Sequence, residues 1–336
     1  MGSFIVPPKP RKPSQKVSSR LLEAVKFLCT VSKDEGSPQD THLLLNNKTA
    51  TIFSDPIGAG AMIDEDLNCA PHAKTFLNAL QKCGETYTLT QVDQSKLSIK
   101  SGPFKANIPC IDPSLLYFPI PDPNVAPIDD NFKTALQLVE KVKPENGQLI
   151  VTLSFLLNGP SILSTDGKIL IEAWHGLNLP TNIPVPKAVI PIITNSKKLI
   201  GFGISQSTVT FYFEDNSFVR SQLYAEGWPD ISSILAKTAD YKDIPTDFFK
   251  GLEAIANFSA NGFVYFNDKK LQSHEHEEAG ASFELDIKKG PVFAIKYLSM
   301  LKDVAERVDF YVPAERKSLM CYFVGKACRG VLMGYG

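Results

Sequence analysis

The clearest pattern in the chain is an apolar residue at every third or fourth position, which recurs in three separate segments. These segments are 17–31, 130–143 and 246–259. The spacing places the apolar side chains on one face of an α-helix, so the sequence predicts three amphipathic helices. Asp130 and Thr246 stand at the start of the second and third segments, where a side-chain oxygen can cap the first helical turn.

Alternating apolar and polar positions, which are typical of strands, follow each of these helices. They cover 42–54, 149–157, 169–174 and 263–267. A second helix is predicted in each repeat, at 71–83, 186–198 and 291–305, and each begins with proline, which suits a first helical turn. Pro191 lies inside the second of these and should kink or shorten it. Further alternating stretches close the repeats, at 86–90, 96–108, 209–213, 218–223, 308–312, 319–324 and 330–333.

Two proline-bearing seams, at 118–127 and 237–245, divide the chain into three blocks with the same order of elements. Residues 1–16 are rich in proline and basic residues and are predicted to form a flexible tail. We therefore expect domains at 17–120, 128–237 and 244–336. Each would hold two helices against antiparallel sheets, which is an α+β fold class built from three repeated units. The alternative is a chance recurrence within one α+β protein.

The charges are nearly balanced but segregated along the chain. With 35 basic and 36 acidic residues, the formal net charge is −1, which excludes a general polycation that coats nucleic acid. The six helical segments with their flanks nevertheless carry sixteen basic and six acidic residues. Lysine's own preference for helices is the alternative explanation, but glutamate shares that preference and is scarce there.

This segregation predicts a helical surface that faces a polyanion. No zinc finger or helix-turn-helix pattern is present, so we expect contacts with phosphates that are non-specific and sensitive to salt. The candidate phosphate-binding residues are Arg20, Lys26, Lys74, Lys82, Lys133, Lys141, Lys187, Lys197, Lys198, Lys250, Lys296 and Lys302.

Other chemistry finds little support in the sequence. The cysteines are irregularly spaced without a C-x-x-C, which is typical of reduced thiols in a cytosolic protein. No run of about 18 apolar residues and no secretory signal is present. A metal-like cluster, His274-Glu-His276-Glu-Glu, is interpreted as a solvated acidic loop, with a metal site as the alternative. We expect no catalytic residue, no metal and no cofactor.

Several stretches are similar to segments of one known family. Ser164-Thr-Asp-Gly-Lys-Ile-Leu170 resembles the T-D-G-x-x-L segment of bacterial DNA sliding clamps, and 221–230 resembles their S-x-L-x-x-G-x-[FW]-P-D ending. The stretches 179–187 and 97–109, and the chain end Val331-Leu-Met333, fit more loosely. The chain thus resembles the beta subunit of DNA polymerase III over about residues 17–336. Its short length and partial motifs are typical of a divergent member, such as one encoded by a phage.

The resemblance implies a processivity factor for DNA replication rather than an enzyme. Two chains would join head to tail into a homodimer ring, with helices inside and sheets outside, around duplex DNA. Twelve helices packed about 9–10 Å apart would leave a hole of about 25 Å, and the twelve basic residues would line it. The implied partners are double-stranded DNA without sequence specificity, a DNA polymerase and a clamp loader. The implied location is the cytoplasm of a bacterium or a phage-infected host, with no membrane contact.

The resemblance also implies an apolar pocket that takes a short partner peptide between the second and third domains. The matching positions are Thr165, Gly167, Lys168, Leu170, Val331, Leu332 and Met333. The chain departs from the family at Gly334, where the family has proline, and at Lys168-Ile169, where it often has His-Arg. Leu170 and Val331 have a second interpretation as ordinary strand core.

Two other functions stay open at this point. The first is a clamp-like scaffold that does not encircle DNA, because a fold alone does not determine function. The second is a metal-dependent enzyme that uses His274 and His276.

Overall fold

The computed structural model describes residues 15–16, 19–84, 86–143, 149–276, 280–314 and 317–335, and the helices, strands and contacts given for the chain are those of these residues. The predicted N-terminal tail lies mostly outside them. The α+β fold class is confirmed: short helices pack on sheets whose strands pair antiparallel. None of the helices in these ranges is both long and apolar enough to cross a membrane.

The first helix of each repeat lies within its predicted amphipathic segment, whereas the second helix of each repeat differs from its predicted bounds. They are α1 Ser19–Cys29, α2 Pro38–Thr41, α3 Ala73–Gln81, α4 Asp130–Glu140, α5 Ile150–Leu153, α6 Ile190–Thr194, α7 Ser232–Leu235, α8 Phe248–Ala256 and α9 Ile295–Val304. Two 3₁₀ turns cover Pro113–Leu115 and Lys187–Val189.

The second helices are shorter than predicted because proline closes a preceding strand or loop instead of beginning the helix. Pro71 and Pro186 are the last residues of strands. Pro191 lies in the first turn of α6, where its missing N–H costs nothing, so the helix begins there and not at 186. In the third repeat, residues 292–294 form a strand before α9.

Strands make up most of the remaining structure. They are β1 Gln15–Lys16, β2 Leu44–Asn46, β3 Thr49–Ser54, β4 Ile57–Met62, β5 Asn68–Pro71, β6 Thr86–Asp93, β7 Lys96–Ser101, β8 Phe104–Ile111, β9 Asn124–Pro127, β10 Ser154–Asn158, β11 Ser161–Thr165, β12 Ile169–Trp174, β13 Thr181–Pro186, β14 Leu199–Ile204, β15 Thr208–Phe213, β16 Phe218–Gln222, β17 Lys242–Asp243, β18 Phe263–Asn267, β19 Lys270–Gln272, β20 Ser282–Glu284, β21 Val292–Ala294, β22 Arg307–Pro313, β23 Leu319–Val324 and β24 Cys328–Met333.

The chain forms two compact units, and these do not follow the three predicted blocks. The first unit is Met1–Val125 with Ser196–Gln222, and the second is Ala126–Asn195 with Leu223–Gly336. The stretch 196–222 belongs to the first unit because its last strand, β16, pairs with β4. The division into three domains therefore stays a prediction.

The first unit is built on a twelve-stranded sheet in the order β1-β6-β7-β8-β5-β2-β3-β4-β16-β15-β14-β9. Helices α1 and α3 pack against each other, and α1 also packs on β3 and β4. Leu21, Val25 and Leu28 on α1 and Phe76 on α3 are fully buried, as the 3.6-residue period predicts.

The second unit contains an eight-stranded sheet, β13-β10-β11-β12-β24-β23-β22-β17, and a four-stranded sheet, β20-β19-β18-β21. Helix α4 packs on β11 and β12 of the larger sheet through Phe132, Leu136 and Val139, which are fully buried. Helices α8 and α9 pack together, α8 on β18–β20 and α9 on β21 of the smaller sheet. Because strand side chains alternate, the larger sheet also has a second face, and that face carries the candidate pocket.

Candidate nucleic-acid surface and partner pocket

Nine of the twelve predicted phosphate-binding residues lie on helices or at their last turn. Arg20 and Lys26 lie on α1, Lys74 and Lys82 on α3 and its C-cap, Lys133 and Lys141 on α4 and its C-cap, Lys250 on α8, and Lys296 and Lys302 on α9. Lys197 and Lys198 lie in the turn between α6 and β14. Lys187 lies in a 3₁₀ turn.

At least six of these cations are paired with carboxylates in the described part of the chain. The pairs are Arg20–Asp64 at 3.2 Å, Lys74–Asp34, Lys141–Asp303 at 2.8 Å, Lys197 with Glu23 and Asp215 at 3.0 Å each, Lys250–Asp247 at 4.0 Å and Lys302–Glu253 at 3.2 Å. Pairs of this exposed kind contribute about 0–1 kcal/mol, so a phosphate can compete for the cation. The two acids beside Lys197 raise its pKa through hydrogen bonds, which keeps the ammonium charged.

Three of these acids come from loops that the sequence tally did not count as helical. Asp34, Asp64 and Asp215 lie outside the helices yet bind helix or turn cations that are 18 to 44 residues away in sequence. In contrast, Lys26, Lys82 and Lys198 are exposed, and within the described ranges none of the three has a carboxylate partner. All three belong to the first unit.

Lys187 differs from the other candidates because its ammonium points into the protein. Its Nζ donates hydrogen bonds to the carbonyl oxygens of Val142, at 3.1 Å, and Thr165, at 2.8 Å. Desolvation lowers its pKa to about 8. The expected phosphate contact of Lys187 is therefore replaced by a structural role, in which it ties the end of α4 to the turn that follows β11.

That turn, residues 165–168, is the T-D-G segment of the predicted pocket, and its own side chains hold it. Thr165 Oγ1 donates to the carbonyl of Ile169 at 2.7 Å and accepts from the Gly167 N–H at 3.0 Å. Asp166 Oδ1 accepts from the N–H groups of Lys168 and Ile169 at 2.8 and 3.0 Å. Gly167 has a φ of 89°, which a residue with a side chain adopts only with strain.

The predicted pocket residues are brought together by the pairing of β12 with β24. Leu170 lies opposite Val331, and Ile169 opposite Leu332. Since side chains alternate between the faces of a strand, Leu170 and Val331 share one face, whereas Leu332 points to the other. Leu332 is fully buried there, so the structure removes it from the pocket. Met333 returns to the first face and is 38% exposed.

The shared face is organised in rows that cross the strands. One row contains Thr165, Leu170, Val331 and Tyr322, and the next contains Leu156, Leu163, Glu172 and Arg329. Neighbouring rows are two residues apart along each strand, or about 7 Å. The apolar members form one buried cluster with Trp228.

Residues of the segment 228–241 pack against this cluster and form one wall of the candidate pocket, a role that was not predicted from the sequence. The Trp228 indole N–H donates to Ser154 Oγ at 2.8 Å, which fixes the ring over β10. Ile231, Leu235 and Tyr241 pack on the cluster, and the Tyr322 hydroxyl donates to the Ile234 carbonyl at 2.6 Å. The apolar residues at 228, 231 and 235, which follow the predicted strand 218–223, were the sequence signal for this wall.

The chain end is anchored on the small sheet. The Tyr335 N–H donates to the Val292 carbonyl at 2.8 Å, and the Tyr335 ring packs on Phe263 with centroids 4.6 Å apart. A Cβ at Gly334 would collide with the Leu319 carbonyl oxygen, which accounts for glycine where the resembled family has proline. Lys168 Nζ lies 5.6 Å from the centre of the Tyr335 ring.

A cavity of about 610 Å³ opens on the same face, at the row that contains Glu172. It is lined by Leu156, Asn158, Leu163, Glu172, Asn182, Trp228, Pro229, Asp230, Ile231, Ser232, Leu235, Ala236 and Arg329. Glu172 is 6% exposed; its Oε1 accepts from Ser161 Oγ and its Oε2 from Arg329 Nε, both at 2.8 Å. No sequence signal had pointed to this ion pair.

The metal-like cluster was the other site suggested by the sequence. His274 Nδ1 lies 2.9 Å from the Ser273 hydroxyl, and the glutamates 277 and 278 lie outside the described residues. Within the described ranges, no three His, Cys, Asp or Glu side chains come together as a metal-binding group.

Comparison with known proteins identifies the fold and only the fold. No family model and no curated protein sequence matches the chain. Among solved structures, the DNA polymerase sliding clamp of Caulobacter crescentus aligns with a TM-score of 0.79 at 17% identity, covering 95% of this chain and 98% of that one. The Bacillus subtilis sliding clamp aligns with a TM-score of 0.75 at 13% identity, covering 94% and 97%.

A third structure, the Helicobacter pylori beta clamp bound to a DNA ligase peptide, aligns with a TM-score of 0.74 at 17% identity, covering 96% of this chain and 99% of that one. The resemblance inferred from the motifs is therefore confirmed at the level of the fold. The chain has the fold of the bacterial sliding clamps over nearly its whole length, and the low identity agrees with a divergent sequence.

Proposed function

We propose that the protein is a DNA sliding clamp, which encircles duplex DNA and tethers a DNA polymerase to its template. The observation that carries this proposal is the similarity to sliding-clamp structures along nearly the full length of both chains. A topological link needs no catalytic group, because it raises the effective concentration of a tethered polymerase without strong DNA affinity. The proposed location is the cytoplasm, and a separate clamp loader would place the ring on DNA.

The cations of the helices support the DNA contact. At least six candidate cations, including Lys197 of the turn before β14, form exposed ion pairs that are weak enough to exchange for phosphates, and Lys26, Lys82 and Lys198 are available without such an exchange. Weak and exchangeable contacts suit sliding, because each one breaks at low cost. The DNA-contact set that we propose omits Lys187.

Two open strand edges support a head-to-tail homodimer. In the first unit, β8 pairs with β7 along its length, but with β5 only at Cys110 and Ile111, so the edge at 104–109 has no second strand neighbour among the described residues. In the second unit, β20 pairs with β19 and has no second neighbour among the described strands. Exposed Lys105 lies on the first edge and exposed Glu284 on the second. Pairing the two edges between copies would cover both and bring opposite charges together.

The face that carries Thr165, Leu170, Val331 and Met333 is the proposed binding site for partner peptides. The Helicobacter pylori clamp was solved with a DNA ligase peptide, which supports the idea that a clamp of this fold binds short segments of its partners. Here the pocket is shaped by Trp228 and Tyr241 and by the turn that contains Gly167.

A topological assay tests encirclement directly. A Lys105→Cys/Glu284→Cys variant would be incubated with nicked circular DNA, linked by a short bismaleimide and washed in high salt. We expect the linked protein to stay on circular DNA and to leave after the DNA is cut once. The chain without the two new cysteines is the control for reaction of the native thiols.

The clamp-like scaffold makes the opposite prediction in this assay. Linked protein that leaves intact circular DNA in high salt would contradict encirclement. The mass in solution gives a second check, since a homodimer has twice the 37.0 kDa mass of the chain. A monomer at micromolar concentration would contradict the proposed ring.

A further inference from the structure

We propose that the cavity at Glu172 and Arg329 is an additional subsite of the peptide groove, and that it takes an acidic side chain of the bound segment. The inference rests on the proposed partner-binding function. It specifies one further position of the bound peptide, an acidic residue two positions away from the apolar residue that enters the pocket.

The cavity continues the apolar pocket along the strands. Leu170 and Val331 form one row, and Glu172 and Arg329 form the next row of the same face. The two rows are about 7 Å apart, which is also the distance between side chains i and i+2 of an extended peptide. A peptide that lies along β12 and β24 can therefore place an apolar side chain in the first row and its second neighbour in the cavity.

The polar groups of the cavity offer mainly hydrogen-bond donors. Arg329 uses Nε on Glu172, which leaves the N–H groups of its two terminal nitrogens. The exposed side-chain amides of Asn158 and Asn182 also line the cavity, and no bond of theirs to another described residue is recorded. Glu172 is already neutralised by Arg329 and bonded to Ser161. A carboxylate satisfies this set better than a second cation or an apolar group.

Arg329 is also held in place for such a contact. Its guanidinium carbon lies 5.4 Å from the centre of the Trp174 ring, so the planar group is fixed between an aromatic ring and the Glu172 carboxylate. A guanidinium held in this way loses little freedom when it binds a second carboxylate. Leu156, Leu163 and Trp228 form apolar walls of the cavity, while the Arg329 side chain is 39% exposed and accessible to a ligand.

Besides the paired Glu172, Asp230 is the charged group of the lining that opposes an incoming anion. It lines the cavity, but its Oδ1 accepts the Ser232 N–H at 2.9 Å and its side chain is exposed to solvent. Salt screens an exposed charge of this kind, which reduces its repulsion of an incoming anion. The charged groups of the lining sum to −1, so an incoming carboxylate would be bound through the free N–H groups of Arg329 and of the two amides and not through net charge.

The two tryptophans of the chain provide a direct test, because Trp228 lines the cavity and Trp174 lies against Arg329. Intrinsic fluorescence would be titrated with the acetylated peptide amide Asp-Ala-Leu-Ala-Asp and with its Asn-Ala-Leu-Ala-Asn counterpart. The symmetric design places an acid two residues from leucine in either orientation. We expect the acidic peptide to bind about 5–10-fold more tightly, which corresponds to one charge-assisted contact.

Substitution of Arg329 alone leaves Glu172 buried without its partner, so the decisive variant is E172Q/R329Q, which removes both charges. We expect this variant to bind both peptides with the affinity of the Asn peptide for the native protein. A matched control is Arg307→Gln, an exposed arginine on β22, which should keep the preference for Asp. An equal affinity of the native protein for both peptides would overturn the proposal, and so would a preference that survives in E172Q/R329Q.

Two further peptides test whether a terminal carboxylate can replace the acidic side chain and whether the site prefers negative charge. Asn-Ala-Leu-Ala-Asn with a free C-terminal carboxylate tests whether a chain end can replace the acidic side chain. Lys-Ala-Leu-Ala-Lys tests the sign, and tighter binding of this peptide would contradict the inference. If leucine peptides bind without a preference for Asp, only this inference fails. If encirclement fails in the crosslinking assay, the proposed function fails independently.

Discussion

The Tyr297 hydroxyl donates a hydrogen bond to Asp166 Oδ2 at 2.7 Å. This bond joins α9, a helix that carries candidate DNA-contact residues, to the turn at the end of the partner pocket. The other oxygen of Asp166 holds the N–H groups of Lys168 and Ile169, so one carboxylate connects the turn to the helix. Desolvation, and then the neighbouring Asp166, raise the pKa of Tyr297, so the phenol stays protonated as the donor.

We expect Tyr297→Phe to lower the free energy of unfolding by about 1–2 kcal/mol, because a hydrogen bond to a charged acceptor is lost from a buried side chain. Urea denaturation measures this change. The amides of Gly167 and Lys168 should also exchange faster with deuterium, since the turn loses its tie to α9. Tyr265→Phe is the control, because its hydroxyl contacts only an exposed Asn261 amide at 3.1 Å. Unchanged amide exchange would show that the turn does not depend on this bond.

Lys187 leads to a prediction about pH. Its pKa is lowered to about 8 in the folded chain, whereas an unfolded lysine has a pKa of about 10.4. Between these values the unfolded chain binds more protons, so stability from this group rises as pH increases from about 8 towards 10. Below about pH 8 the charged ammonium is retained in the fold and its full desolvation cost remains.

Lys187→Met removes this titration together with the hydrogen bonds to Val142 and Thr165. The difference in unfolding free energy between native protein and variant should therefore grow in favour of the native protein between pH 7.5 and 9.5. Urea denaturation at the two pH values measures it. A difference that does not change with pH would contradict a lowered pKa at this lysine.

The spacing of apolar residues correctly predicted the helices in which that spacing alone creates one buried face. Helices α1, α4 and α8 lie within the predicted segments because one apolar face of each is buried. Proline position was a weaker signal: Pro71 and Pro186 end strands, and the residues after Pro291 form β21 before α9 begins. A proline is compatible with a strand end as well as with a first helical turn.

The features that could not be predicted from the sequence depend on contacts between residues that lie far apart in the chain. The pairing of β16 with β4 moves 196–222 into the first unit, and no local pattern encodes this choice. The face of a strand residue depends on register, so Val331 and Leu332 looked equivalent until the pairing with β12 separated them. The charge tally along the sequence could not reveal that loop acids such as Asp34 and Asp64 pair with helix cations.

Gly334 tests whether the chain end could accept the proline of the resembled family. A Cβ at this position would collide with the Leu319 carbonyl oxygen and lie 3.2 Å from the Phe293 ring. Backbone atoms cannot move aside as a flexible side chain can, so we expect Gly334→Pro to destabilise the protein by about 1–3 kcal/mol or more. Gly227→Ala is the control, since its nearest neighbour, the Asn182 amide, is at 3.8 Å. Thermal or urea unfolding compares the two, and equal stability of both variants would contradict the packing argument.

The pattern of ion pairs predicts that the candidate cations do not contribute equally to DNA binding. Lys26, Lys82 and Lys198 are exposed without a carboxylate partner in the described ranges, whereas Lys141, Lys250 and Lys302 are paired. A cation that must leave a carboxylate to bind a phosphate gives a smaller net gain. The triple variant K26Q/K82Q/K198Q should therefore weaken duplex binding more than K141Q/K250Q/K302Q, which removes the same number of charges.

Salt titration of duplex affinity measures both triples. The slope of log affinity against log salt should fall by about 2–3 in the first triple and by about 0–1 in the second, because each phosphate contact contributes about 0.9 to the slope. Removing the acids gives the complementary check. Asp34→Asn and Asp64→Asn release Lys74 and Arg20 and should strengthen binding to duplex DNA. Equal slopes for the two triples would show that phosphates displace the carboxylates without cost, and the paired cations would then count fully as DNA contacts.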